Sequence, residues 1–161
     1  MKKGMLLSLA LIMLTTTYSQ RRSVRKITLI PEPVSMVRAA DSGNMSLNAG
    51  TRIVYDGNTE VAGLANQFAA KINTVAGYSI KAMPGKTATP GSIFFSLKND
   101  PTIKEEGYRL SVTKNGVVLM ARKASGIFYG IQTLPQLFPS AIEVKKESEP
   151  IKWYMPCVTI E

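Results

Sequence analysis

The chain has 161 residues, with 20 basic and 11 acidic side chains, no histidine and a formal net charge of +9. The lone cysteine, Cys157, excludes an internal disulfide, and the missing histidines argue against a zinc site or a histidine-activated nucleophile. Residues 27–161 hold 14 basic and 11 acidic side chains, so the excess charge sits mainly ahead of residue 27, and no nucleic-acid-binding motif accompanies it.

Lys2 and Lys3 precede an apolar run from Met5 to Leu14, too short to span a bilayer. Small residues follow through Ser19. This predicts a signal peptide over 1–19, export to a periplasmic or extracellular address, and no membrane span after cleavage. No cysteine follows the run, so no lipid anchor is expected. Arg21, Arg22, Arg25 and Lys26 make 20–26 a basic, flexible tail. The remaining 135 residues, 27–161, suffice for one domain with one core.

Within it, Ser35–Val37 and Met45–Leu47 read as short strands and Arg52 to Tyr55 as a firmer one. Asn58 or Thr59 caps a helix running to about Ala76. Val61, Leu64, Ala65, Phe68, Ala69, Ile72 and Val75 recur on one of its faces. Gly77 suits its left-handed C-terminal cap. Tyr78 to Met83 and Ser92 to Leu97 read as strands. The continuous Ile93-Phe94-Phe95 suggests burial on both faces. Pro84 to Gly91 and Lys145 to Pro150 read as solvated loops.

Tyr108, Leu110 and Val112 alternate with polar residues, and Asn115-Gly116 favours a tight turn into a partner strand over Val117 to Met120. Ile127, Ile131, Leu134 and Phe138 then repeat at helical spacing, with Ser125 as the expected N-cap. Gly126 and Gly130 share one stripe and permit close approach to the sheet. Pro135 removes a backbone donor and should bend the helix near Ile131. Trp153-Tyr154 and Val158 to Ile160 look extended. Strands covered by two amphipathic helices define an α+β domain.

The block Glu106 to Leu110, Asn115-Gly116-Val117, Ala124, Gly126 to Leu134 and Gln136-Leu137 resembles the N-terminal, non-catalytic domain of family 20 glycoside hydrolases, the β-N-acetylhexosaminidases. Ile30-Pro31-Glu32-Pro33-Val34 and Met155 to Glu161 are similar to the ends of that domain. The resemblance implies a mostly antiparallel sheet with two helices on one side, a zincin-like architecture. The His-Glu-x-x-His helix of zinc proteases is absent from this sequence.

The family removes terminal β-linked N-acetylglucosamine or N-acetylgalactosamine by a substrate-assisted mechanism. It uses an Asp-Glu pair on a (β/α)8 barrel. The sequence contains no Asp-Glu dipeptide, and a barrel needs roughly 200 residues or more. We therefore expect no catalytic, cofactor-binding or metal-binding residue here, and no cofactor. The expected partner is a catalytic barrel outside these residues, with amino-sugar glycans as a further ligand class.

Other residue patterns have plainer readings. Glu105 and Glu106 read as a solvated turn, and Asp41, Asp56 and Asp100 as turn residues. Cys157 reads as a small buried hydrophobe. Tyr108 and Tyr129 are expected to anchor the sheet–helix core, and Trp153-Tyr154 to pack between domains. The alternatives are a free-standing carbohydrate-binding module, with Tyr55, Tyr78, Tyr108, Tyr129, Trp153 and Tyr154 as stacking candidates, or an envelope interaction module. Asn44-Met45-Ser46 matches a glycosylation acceptor, which the bacterial-looking leader makes accidental.

Overall fold

A computed structural model describes residues 27–38, 43–142 and 151–161. The expected signal peptide and basic tail, the turn at Asp41 and the whole Lys145 to Pro150 loop lie outside the described residues.

The strands are β1 (Met36–Arg38), β2 (Asn44–Ser46), β3 (Arg52–Tyr55), β4 (Ala82–Pro84), β5 (Ser92–Leu97), β6 (Tyr108–Thr113), β7 (Gly116–Ala121), β8 (Tyr154–Pro156) and β9 (Val158–Ile160). The helices are α1 (Thr59–Ala76) and α2 (Ala124–Leu137), with a 3₁₀ turn at Ser140–Ile142. Seven strands form one sheet in the order β1-β9-β6-β7-β5-β3-β4, and β2 pairs with β8 in a small separate ladder. The class is α+β, as expected. The main sheet is mixed: β4, β3, β5 and β7 run parallel, while β7, β6, β9 and β1 pair antiparallel.

α1 begins where Asn58 Oδ1 accepts the amides of Glu60 and Val61 at 2.9 and 3.1 Å. It ends at Gly77, whose φ of 70° is left-handed. Val61, Ala65, Phe68, Ala69 and Ile72 are buried, and Leu64 and Val75 pack against the same core. The following strand is shorter than the sequence suggests. Asn73 turns back and pairs with both backbone groups of Ile80, at 2.8 Å each way. That side chain takes the bonds a neighbouring strand would have made, so β4 starts only at Ala82.

α1 and α2 touch each other and share one face of the sheet. The Phe68 and Phe95 rings meet at 5.9 Å. A Cβ at Gly130 would overlap Leu119, and one at Gly126 would overlap the Gly107 carbonyl and Ala121. These two glycines therefore set how closely α2 sits on the sheet. Val54 and Phe94 point to the other face yet are buried. There the loop after β4 places Gly85 against Val54. Ile93, Phe94 and Phe95 are all buried, as expected.

Two local expectations need correction. α2 is capped by Lys123, which makes no side-chain cap bond, and Ser125 sits inside the first turn. The β6–β7 turn centres on Lys114-Asn115, since Thr113 pairs with Gly116. No non-glycine described residue has a positive φ; Gly116 does, at 145°, as the first residue of β7. Its glycine identity answers to β5, because a Cβ there would overlap the Ser92 carbonyl. α2 continues through Pro135 to Leu137, and the proline, lying in the last turn, deprives only the Ile131 carbonyl of its intrahelical donor.

Candidate functional site

A groove of about 390 Å³ lies beside α2. Its walls are the segment Ile30 to Val34, the loop Thr102 to Gly107, the start of β6, one side of α2 and Glu161. It therefore joins the first and last described parts of the chain.

Each wall is tied down by a specific bond. Gln136 clamps Ile30, accepting its amide and donating to its carbonyl at 2.9 Å each, across 106 residues of sequence. Tyr108 Oη and Thr133 Oγ1 meet at 2.6 Å and pin α2 to β6. Ser35 and Glu161 exchange backbone bonds at 3.0 and 2.9 Å, extending the β1–β9 ladder by one residue.

Arg109 organises the rim. Its Nε lies 2.5 Å from Glu161 Oε1, and its Nη1 lies 3.3 Å from Asp100 Oδ2. Asp100 in turn accepts from the Thr102 amide at 2.9 Å and the Thr102 hydroxyl at 2.6 Å. The Thr102 hydroxyl bond, then the Thr102 amide and the Arg109 charge, hold the Asp100 carboxyl below its ordinary pKa. The bond to Glu161 and its charge move Arg109 upward. Nearby, Lys123 sits 2.6 Å from Glu105, and that hydrogen bond and charge lower the Glu105 pKa. All three shifts stabilise the charged forms. A group that must trade a proton near neutral pH needs the opposite tuning when it is a carboxylic acid.

Among the described residues, no group of three or more histidine, cysteine or acidic residues is placed to hold a metal. No described helix is long and apolar enough to cross a membrane. A second hollow, of about 570 Å³, opens at the C-terminal end of α2 near Phe138 and Tyr154.

The aromatic candidates scatter rather than form a platform. Tyr108 anchors α2 as expected. Tyr129 does not: it is 46% exposed and forms the groove wall, edge-on to Phe128 at 5.6 Å. At 200° from Ile127 around the helix, position 129 faces away from the sheet. Trp153 is buried against Phe138 at 6.4 Å, so it belongs to this domain's own core. Tyr154 is exposed at the second hollow. Cys157 is buried. Asp56 bonds the amides of Asn58 and Leu97 at a turn, and Glu106 lies exposed on the groove rim.

Sequence reasoning missed Arg109, Gln136, Ile30 and Val34 as groove residues. Arg109 was legible as the polar half of an alternating strand and as part of the resembling block Glu106 to Leu110. A partner 52 residues away, at Glu161, leaves no local signal.

The α+β module matches known proteins. Residues 26–161 match the family described as glycosyl hydrolase family 20, domain 2. The chain belongs to that family. It is 31% identical over 121 residues to a beta-hexosaminidase of Porphyromonas gingivalis, covering 75% of this chain and 15% of that protein. It is 26% identical over 114 residues to a beta-N-acetylhexosaminidase of Cellulomonas fimi, covering 71% of this chain and 23% of that protein. Among solved structures, the family 20 β-N-acetylhexosaminidase of Streptomyces coelicolor A3(2) aligns with a TM-score of 0.69 at 32% identity, over 80% of this chain and 25% of that one. The Streptomyces plicatus N-acetyl-beta-hexosaminidase, in complex with Thio-NAglucal, aligns at 0.72 and 32%, over 83% and 25%. The chain thus spans a quarter or less of the length of these relatives.

Proposed function

We propose that this chain is the accessory module of an exported exo-β-N-acetylhexosaminidase acting on terminal β-linked N-acetylglucosamine or N-acetylgalactosamine. The catalytic acids lie outside these 161 residues, and the module steadies the barrel that carries them. The match over residues 26–161 to the domain 2 family carries this reading. The small share of each relative that the chain covers supports it, as does a sequence without an Asp-Glu dipeptide. The Lys2-Lys3 start and the apolar run to Leu14 support export.

The purified 161-residue chain is expected to give no turnover of an aryl N-acetyl-β-glucosaminide above the uncatalysed rate. Robust hydrolysis refutes the proposal. A second reading, a carbohydrate-binding module, draws on the exposed Tyr129 ring in the groove. Titration with chitooligosaccharides separates the two, since saturable binding by the chain favours the module.

A further inference from the structure

We infer that Asn115 is a site of spontaneous modification, at which the Gly116 backbone nitrogen displaces the side-chain amide as ammonia, and that the isoaspartyl product unfastens the β6–β7 turn from the loop ahead of β5.

Such a reaction needs a side-chain carbonyl carbon that is free to move and an uncrowded backbone nitrogen behind it. In the sequence, a short amide or acid precedes a glycine twice, at Asp56-Gly57 and Asn115-Gly116. The Asp56 carboxylate is held by the amides of Asn58 and Leu97. The other asparagines are either held or crowded. Asn48 accepts the Gly50 amide, Asn58 caps α1, Asn66 donates to the Ala62 carbonyl, and Asn73 pairs with Ile80. Asn44 and Asn99 precede Met45 and Asp100, whose Cβ atoms shield the attacking nitrogen. Asn115 is exposed at its turn, and only its backbone groups form hydrogen bonds among the described residues. Gly116 presents no Cβ. It is also the first residue of β7, so fraying of the ladder end is enough to free its nitrogen.

Solvent base removes the Gly116 amide proton, and the nitrogen attacks Asn115 Cγ. The Cγ–Nδ2 bond breaks, ammonia leaves, and a five-membered imide joins the two residues. Water then opens either carbonyl. Opening at Cγ leaves an ordinary aspartate. Opening at the former main-chain carbonyl carbon leaves the chain running through Cβ and Cγ, with a free carboxylate on Cα. The net exchange is one water in and one ammonia out, with nothing oxidised or reduced.

The fold makes the two products unequal. The Gly91 amide donates to the Asn115 carbonyl at 2.7 Å, and the Ser92 carbonyl fills the space where a Cβ on Gly116 would lie. The turn is thus fastened to the start of β5 on both sides of the reacting bond. An aspartate keeps that backbone and only adds a charge in solvent. The isoaspartyl form inserts a methylene into the turn and converts the Gly91 acceptor into a pendent carboxylate. With β5 in contact, Gly116 has no room to absorb the extra length. The Gly91 bond and the Thr113–Gly116 pair are therefore displaced.

The test ages the 161-residue chain in mildly alkaline buffer at body temperature, beside a sample aged in urea. Peptide mass spectrometry of the native sample should show the amide-to-acid mass gain at Asn115 and at no other asparagine. An isoaspartyl methyltransferase should label that peptide. The isoaspartyl fraction, separated by chromatography, should melt several degrees below the fresh chain. Asn115→Asp should melt with the fresh chain. Asn115→Gln, whose longer side chain closes a ring far more slowly, should abolish the mass gain and the methyl label and leave the melt unchanged.

A native sample unaltered at Asn115 once the urea sample has converted shows that the fold protects the turn, and overturns the inference. So does a second asparagine converting as fast, or a methyl label that persists in Asn115→Gln. An isoaspartyl fraction that melts with the fresh chain overturns the unfastening.

Discussion

The two halves of the main sheet are covered in different ways. Over β3, β4 and β5 lies α1, one continuous helix whose apolar face was written at a regular spacing. Over β6 and β9, alongside α2, lie pieces from distant parts of the chain. Leu29, Met45 and Leu47 come from one end, and Trp153 and Met155 from the other. The small β2–β8 ladder gathers them, with Met45 opposite Met155. The helix-covered half closes on itself, whereas the patchwork half leaves its margin open as the groove. A cover made of one element is complete by construction. A cover assembled from chain ends leaves a seam.

The sharpest way to break this contrast is to empty each half in turn. Phe95→Ala removes a fully buried ring from the helix-covered half and should cost about 4 kcal/mol. Trp153→Ala, in the patchwork half, should cost about 3 kcal/mol, because an assembled cover collapses more readily into the void. Urea unfolding measures both. Equal costs with unchanged slopes would mean that the halves respond as one block and that the distinction is only descriptive.

Asn73→Ala tests the junction between α1 and β4. It strips the partner from both backbone groups of Ile80 and should cost about 2 kcal/mol. A loss below about half a kcal/mol would show that water replaces the side chain freely.

The smallest effect concerns the groove rim. Asp100 has a lowered pKa, so its contribution to stability is present above the unfolded aspartate value near 3.9 and is lost as pH falls through the folded value. Thermal melts between pH 2 and 5 should therefore fall more steeply for the parent chain than for Asp100→Asn. Identical slopes would remove Asp100 from the rim's electrostatics. The pair is exposed enough that the difference should be small.

Elements governed by near neighbours were legible residue by residue. Asn58, Gly77 and the apolar stripe of α1 bounded a helix whose ends match the expectation. Gly126 and Gly130 signalled close packing on the sheet. Where a local cue competed with a distant contact, the distant contact won. Tyr78 to Ile80 carry strand-like residues, but Asn73 satisfies the Ile80 backbone first. Gly116 looked like a turn glycine and is required by the β5 backbone. Trp153 looked like a junction residue and fills the core behind Phe138. Of the groove, Ile30 to Val34, Glu106 to Arg109, Tyr129, Gln132, Thr133, Gln136 and Glu161 were visible beforehand within the resemblance, but not their meeting at one surface.

By itself the sequence determined the family, the two helices, the buried central strand and the lack of an Asp-Glu pair. Periodicity, caps and dipeptides are properties of residues within a few positions of each other. The mixed pairing of the sheet, the Arg109 rim and the Gln136 clamp were decided only by the tertiary structure. Each depends on groups dozens of residues apart, and chain folding alone brings such groups within bonding distance.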